Sequence, residues 1–297
     1  PSLKREDLPK IPHQSSATGM QAIPTTGVAM GIKYKEIQDI SKPKRGEEPV
    51  VVCSFGDGAI TEGEVAEAFQ MAALRQLPIL YLVQDNEWNI SAHSSETRAV
   101  DAKTYAKGFG IKSLTIDGTN FIESYNSIQK TFLEIRKKRK PILVHAKIPL
   151  LNHHTSGVRM EWYRDDLEKS KNQDPFPKLK NVLLANGFSK DELMKIKNQA
   201  KILVEKDYHK ALNSDDPKPE DLFTHVFSPT PILEEKGNRK PKDRQSIVMV
   251  DSAVLAIKEL MELHPECLLY GQDVGERLGG VFREAATLAK TFGNERV

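Results

Sequence analysis

The chain has 297 residues, 39% hydrophobic and 28% charged, with a formal charge of +2. That length suggests about two domains. A nearly neutral balance without a basic stripe interleaved with aromatics argues against a nucleic-acid partner. No apolar run approaches the roughly 20 residues of a membrane span, and two cysteines, Cys53 and Cys267, are too few for a disulfide framework.

The chain opens on Pro1 without a secretory signal, so it is expected to be processed or cut from something longer, with a cytoplasmic address. Residues 1–12 are polar and Pro-rich, an exposed arm. Residues 13–31 are rich in Gly, Ala, Ser and Thr and lead into a closely packed helix. After a charged connection at 42–49, the run 50–55 (VVVCSF) reads as a buried strand. Gly56-Asp57-Gly58 is a tight turn. Residues 62–74 follow as an amphipathic helix with Val65, Ala68, Phe69, Ala72 and Ala73 on one face.

Pro78 ends that connection, and an apolar strand at 79–83 delivers Asp85 and Asn86 at its C-terminal end. A strand–helix–strand crossover is right-handed and its strands lie parallel, so Asp57 and Asn86 are expected to meet at one sheet edge. Carboxylate, amide and backbone carbonyl oxygens suit Mg²⁺ that also grips phosphates. Glycines let backbone N–H groups approach a phosphate, and a helix N-terminus favours an anion.

Residues 92–100 read as a polar loop, and 101–109 as a short helix with Asp101 as N-cap. A strand at 113–116, a turn at 117–120, an amphipathic helix at 121–138 and a buried strand at 141–148 continue the alternation. The basic run 136–140 reads as a solvated helix end. His145, alternating with core residues, reads as a satisfied structural histidine. The alternation predicts an α/β fold with a doubly wound parallel sheet.

Further on, 165–177 is charged and irregular, and helices are expected at 176–186 and 189–213, the second opened by a Ser189–Glu192 capping box. Residues 228–244, with three prolines, form the best linker candidate. A helix at 246–263 and a short strand at 267–270 then begin a new unit.

The wording GDGAITEGEVAEAFQMAAL…LPILYLVQDNEWNIS resembles the thiamine-diphosphate signature of transketolase-like enzymes, and within them the alpha chain of the 2-oxoacid dehydrogenase decarboxylating component. The resemblance implies that Gly56, Asp57, Gly58, Ala59 and Asn86 bind the cofactor, and that Asp57, Asn86 and the carbonyl of Trp88 hold Mg²⁺. It puts Glu64 and Glu67 in an acidic tunnel between two active sites. Ser16, Thr18 and Gln21 match a segment beneath the cofactor. Gln84-Asp85-Asn86 departs from the doubled Asn usual there, with the ligand Asn kept in register.

His153-His154 followed by Tyr163-Arg164 resembles the regulatory loop of that alpha chain, with the spacing of its branched-chain type. His154 matches the histidine beside the diphosphate and reaction centre, where it could donate to a phosphate or an oxyanion. His153 reads as a surface residue. Thr155 stands where some relatives are phosphorylated.

Residues 219–227 resemble the end of the alpha chain, and Gly271-Gln272-Asp273-Val274 the opening of the beta chain, with Gln272 in place of the usual Glu. The implied layout is an alpha-type cofactor domain (1–165), a helical segment (166–227), the linker and the start of a beta-type domain (245–297). The implied activity is oxidative decarboxylation of a branched-chain 2-oxoacid with transfer to a lipoyl acyltransferase, in a homodimer. Pyruvate as substrate, another thiamine enzyme such as a transketolase, or a non-catalytic assembly module remain alternatives.

Overall fold

A computed structural model describes residues 9–12, 16–155, 157–224, 226, 245–280 and 283–297. The chain divides into two compact units, with the boundary between Val182 and Leu183. Among the described residues no helix is long and apolar enough to cross a membrane.

In the first unit the elements run α1 (Ala22–Ile37), β1 (Val51–Gly56), a 3-10 turn (Asp57–Ala59), α2 (Gly63–Arg75) and β2 (Ile79–Asp85). Then come β3 (Trp88–Asn89), β4 (Ala92–His93), α3 (Ser94–Thr97), α4 (Ala102–Gly108), β5 (Lys112–Asp117), α5 (Phe121–Lys138) and β6 (Ile142–Lys147). β1, β2, β6 and β5 form, in that order, one sheet in which every neighbouring pair is parallel. The expected doubly wound α/β arrangement is therefore present.

Both faces of the sheet are covered, as an all-parallel sheet requires. Along β2, Ile79, Tyr81 and Val83 enter a core with α1, α2 and α4, while Leu80 and Leu82 point to the other face with Ile135 of α5. That alternation is the two-residue repeat of a strand. Tyr81 is fully buried and its hydroxyl meets Thr26 Oγ1 at 2.9 Å, so the core's largest side chain keeps its polar tip satisfied.

The sheet ends are fixed by close backbone approach. Gly118 N–H donates to Lys147 O at 2.8 Å, and a Cβ on Gly118 would lie 2.8 Å from that oxygen and 2.4 Å from Ile148 Cγ2. Because the obstacle includes backbone, Gly118→Ala is expected to cost about 1–3 kcal/mol, the range for overpacked sites. A lowered urea midpoint with unchanged slope checks it.

Several local expectations need correction. Residues 92–100 are not a plain loop: they hold β4, antiparallel to β3, and α3, whose N-cap is His93. The basic run is not merely solvated. Arg136 Nε donates to Glu48 O at 3.2 Å, and Arg139, left-handed at the end of α5, ion-pairs with Glu36 of α1. The irregular stretch 165–177 contains α6 (Leu167–Asn172) and the start of α7 (Pro175–Ala185). Asp101 does cap α4, accepting from Thr104 N–H at 2.7 Å.

In the second unit α8 (Lys190–Leu212) begins at the predicted Ser189–Glu192 capping box. α9 (Met249–Leu263) and α10 (Glu284–Phe292) pack on each other. Residues 267–270 are irregular rather than a strand, since their ladder reduces to Leu269 N–H donating to Arg296 O. Arg296 instead binds the carbonyls of Met261, His264 and Cys267. The candidate linker 228–244 lies outside the described residues, as do His13 to Ser15, Val281 and Phe282.

Candidate functional site

The C-terminal ends of β1, β2, β5 and β6 share one edge, and there the crossover brings Asp57 and Asn86 together. Asn86 N–H donates to Asp57 Oδ1 at 3.3 Å. The two residues meet through the Asn86 backbone. The Asn86 side-chain oxygen turns forward instead, accepting from Trp88 N–H at 2.9 Å. Asp57 is buried at 1% exposure, and its Oδ2 accepts no hydrogen bond although Arg98 Nη2 stands 3.0 Å away.

Asp85, the residue that departs from the doubled Asn, is the hub of the site. Its Oδ1 accepts from Glu87 N–H at 3.0 Å and from Arg98 Nη2 at 3.2 Å. Its Oδ2 accepts from His145 Nε2 at 2.6 Å and Lys147 Nζ at 2.7 Å. A buried carboxylate without such partners would be protonated or destabilising. Burial pushes Asp85 upward, but the bonds from His145 and Lys147 and the Arg98 charge outweigh it and hold the carboxyl well below its usual range.

Asp57 goes the other way. Burial, then the Asp85 charge, raise it to about 6 against the opposing pull of Arg98 and the Asn86 N–H. A carboxyl whose folded pKa exceeds its unfolded value stabilises the fold fully below the unfolded pKa, here near 3.8, and loses that contribution as pH rises through about 6. The metal-free chain is therefore expected to lose thermal stability between pH 4 and 6.5. Asp57→Asn should flatten that slope in a melting series across this window.

The donor set fits a divalent cation. Asp57 Oδ2 is an orphaned buried oxygen facing a positive group. Among the described residues no cluster of three His, Cys, Asp or Glu side chains could hold a metal. A cation here relies on one carboxylate plus amide and carbonyl oxygens, which are ligands Mg²⁺ accepts. Gly58 packs directly on Asn89: a Cβ there would fall 2.0 Å from Asn89 Oδ1. Gly58→Ala is expected to dislodge the Asn89 amide from Thr97 Oγ1, now 3.0 Å away, and to cost about 1 kcal/mol. Denaturant melts check it.

A cavity of about 250 Å³ opens beside Asp85, Asn86, Glu87 and Lys147, and Asp166 and Lys169 also line it. A larger one, about 380 Å³, lies at the opposite sheet edge beside Lys112 and Ile142, the first residues of β5 and β6. Its Lys112–Glu134 pair is a surface ion pair, whereas the smaller cavity adjoins Asp85 and Asn86.

The remaining candidates are placed as follows. Gly56 ends β1, and Ala59 is buried in the 3-10 turn. Gln21 Nε2 donates to Ser54 O at 3.3 Å, bringing the α1 entrance to β1, while Ser16 and Thr18 are exposed beside it. Glu64 is half-buried and Glu67 exposed, away from the buried face of α2. Trp88 is nearly buried, its ring 5.6 Å from Tyr163 and 5.1 Å from the Arg164 guanidinium. His153 Nδ1 accepts from Met160 N–H at 3.2 Å. His154 and Thr155 are exposed on the loop after β6, and no described hydrogen bond or ion pair joins His154 to Asp57.

Sequence reasoning missed Arg98 altogether; His145 is the buried structural histidine expected, and its Nε2 partner is Asp85. The signal for His145 and Lys147 was present: a charged residue ending an apolar strand needs counter-groups, and i, i+2 residues of a neighbouring strand can supply them. Nothing local pointed to Arg98.

Residues 4–220 match the family described as "Dehydrogenase E1 component". A pyruvate dehydrogenase E1 component subunit alpha from Rickettsia bellii (strain RML369-C) is 27% identical over 213 residues, covering 70% of this chain and 62% of the relative. The corresponding subunit of Porphyra purpurea is 30% identical over 206 residues, covering 68% and 59%. The mitochondrial 2-oxoisovalerate dehydrogenase subunit alpha of Homo sapiens is 29% identical over 187 residues, covering 61% and 42%. The chain thus spans less than two thirds of the length of these curated relatives.

Proposed function

Because the chain belongs to the dehydrogenase E1 component family, we propose that it is the alpha-type part of a thiamine-diphosphate-dependent 2-oxoacid dehydrogenase with the transketolase-like cofactor fold. The observation that carries this reading is the juxtaposition of Asp57, with its orphaned oxygen, and Asn86 at the open sheet edge. Both residues fall within the matched stretch.

In this proposal Asp57, Asn86 and the Trp88 carbonyl hold Mg²⁺, and Gly56, Gly58 and Ala59 let the backbone approach the diphosphate. Asp85, through His145, Lys147 and Arg98, fixes the strand end from which Asn86 projects. His154 supplies a hydrogen-bond donor from the loop after β6. Ser16, Thr18, Glu64 and Glu67 keep the roles that the resemblance assigns. When bound, the cofactor acts as an electron sink for loss of carbon dioxide.

The substrate class is a 2-oxoacid, and the product acyl group passes to a lipoyl acyltransferase. We favour the branched-chain type on His153-His154 and Tyr163-Arg164 at their spacing, with pyruvate as the second reading. Residues 221–297 lie outside the family match; the beta-type opening at 271–274 supports an alpha–beta fusion that assembles as a homodimer.

Titration calorimetry with thiamine diphosphate, with and without Mg²⁺, tests the reading. Mg-dependent heat in the wild-type chain that disappears in Asp57→Ala supports it. Heat that persists unchanged in Asp57→Ala overturns the site.

A further inference from the structure

Arg98 is the most unusual charged residue of the fold. Its side chain is 95% buried, given an exposure of 5%, and it ends the β3–β4–α3 excursion rather than belonging to the sheet. One nitrogen, Nη2, is shared between Asp57 Oδ2 at 3.0 Å and Asp85 Oδ1 at 3.2 Å. The other two, Nε and Nη1, are buried without an acceptor. A guanidinium with five donors normally satisfies them in a planar fork. Leaving two unpaired carries a desolvation penalty with no return.

We propose that Arg98 is a tethered stand-in for the divalent cation, occupying Asp57 Oδ2 until the ion arrives, so that metal binding is a competition between the two. The inference rests on the reading of Asp57 and Asn86 as the cation site. Two buried carboxylates meeting at one point need positive charge in the metal-free chain, and Arg98 supplies it. Asp85 is the second anchor, already provided with His145 and Lys147, and so holds the pocket's shape when the guanidinium is displaced. The half-satisfied fork makes Arg98 the exchangeable member. A fully bonded arginine such as Arg164, with acceptors for Nε, Nη1 and Nη2, is not one.

Manganese binding to the whole chain, followed by loss of the free-ion resonance signal, tests this in wild type, Arg98→Met and Asp57→Ala. Removing the competitor is expected to lower the Mn²⁺ Kd of Arg98→Met by about tenfold, a change well resolved on the affinity scale. The same variant should melt at lower temperature without metal and recover more on adding Mn²⁺ than wild type does. A residue that merely supports the loop would move stability and affinity downward together. Unchanged or weaker Mn²⁺ binding in Arg98→Met overturns the inference.

The variants distinguish failure of the cation site from failure of the competition. If Asp57→Ala binds Mn²⁺ as well as wild type, the cation site itself is wrong, and this inference with it. If Asp57→Ala loses binding while Arg98→Met fails to tighten, only the competition is wrong. Should Arg98→Met not fold, the Asp85→Asn/Arg98→Met pair removes both charges, and its Kd is expected to fall by a similar factor relative to Asp85→Asn alone. An equal or higher Kd there overturns the inference as well.

Discussion

Asp85→Ala is expected to destabilise the chain by about 3–5 kcal/mol, the range for removing one partner from a buried ion cluster. Asp85 is fully buried and accepts from four donors on three segments: Glu87 after β2, Arg98 after α3, and His145 and Lys147 of β6. Alanine leaves two cations and an imidazole N–H facing a void, so the penalty is chiefly desolvation of the groups left behind rather than loss of one bond. Asp85→Asn keeps one acceptor oxygen and should recover part of the loss. Urea unfolding at pH 7 orders the three chains as wild type, Asn, Ala; an alanine variant within about 0.5 kcal/mol of wild type, a size typical of unimportant surface sites, refutes the hub. Because Asp85 is held below its ordinary pKa, its contribution is present above the unfolded value and lost as pH falls through the folded one. Wild type and Asp85→Ala should therefore converge in acid.

Arg164→Ala should free the loop between β6 and α6. Arg164 Nη1 donates to Leu150 O at 2.9 Å, Nε donates to Asp166 Oδ1 at 2.7 Å, and Nη2 donates to Ser170 Oγ at 2.7 Å. Its guanidinium also stands over the Trp88 ring, which ties the loop base to the strand end bearing Asn86. Loss of this buried, fully bonded cation is expected to cost about 3 kcal/mol and to make residues 151–163 the first site of limited proteolysis. Arg164→Lys should not rescue it, because an ammonium cannot reproduce the planar fork that meets the Asp166 carboxylate side-on. Cleavage of Arg164→Ala at the wild-type rate and position would refute the strap.

Much of the frame was legible because apolar periodicity is a local property. The runs at 50–55, 79–83, 113–116 and 141–148 became the four strands, α5 formed at its predicted bounds, and Asp101 and Ser189 capped the helices after them. The parallel crossover then required Asp57 and Asn86 to share an edge. The short β3–β4 pair was not legible, because two-residue strands leave no periodicity. Nor was the strand expected at 267–270, whose apolar run finds no neighbouring strand among the described residues.

The alternating frame and the meeting of Asp57 with Asn86 both follow from spacing along the chain. How that meeting is made emerges only in the folded chain: through the Asn86 backbone, beside an anion pair bridged by an arginine from a separate excursion. The reason is that a buried charge must find its partner wherever the fold offers one. Distance in space, on which Coulomb attraction and desolvation depend, is not written in any local pattern.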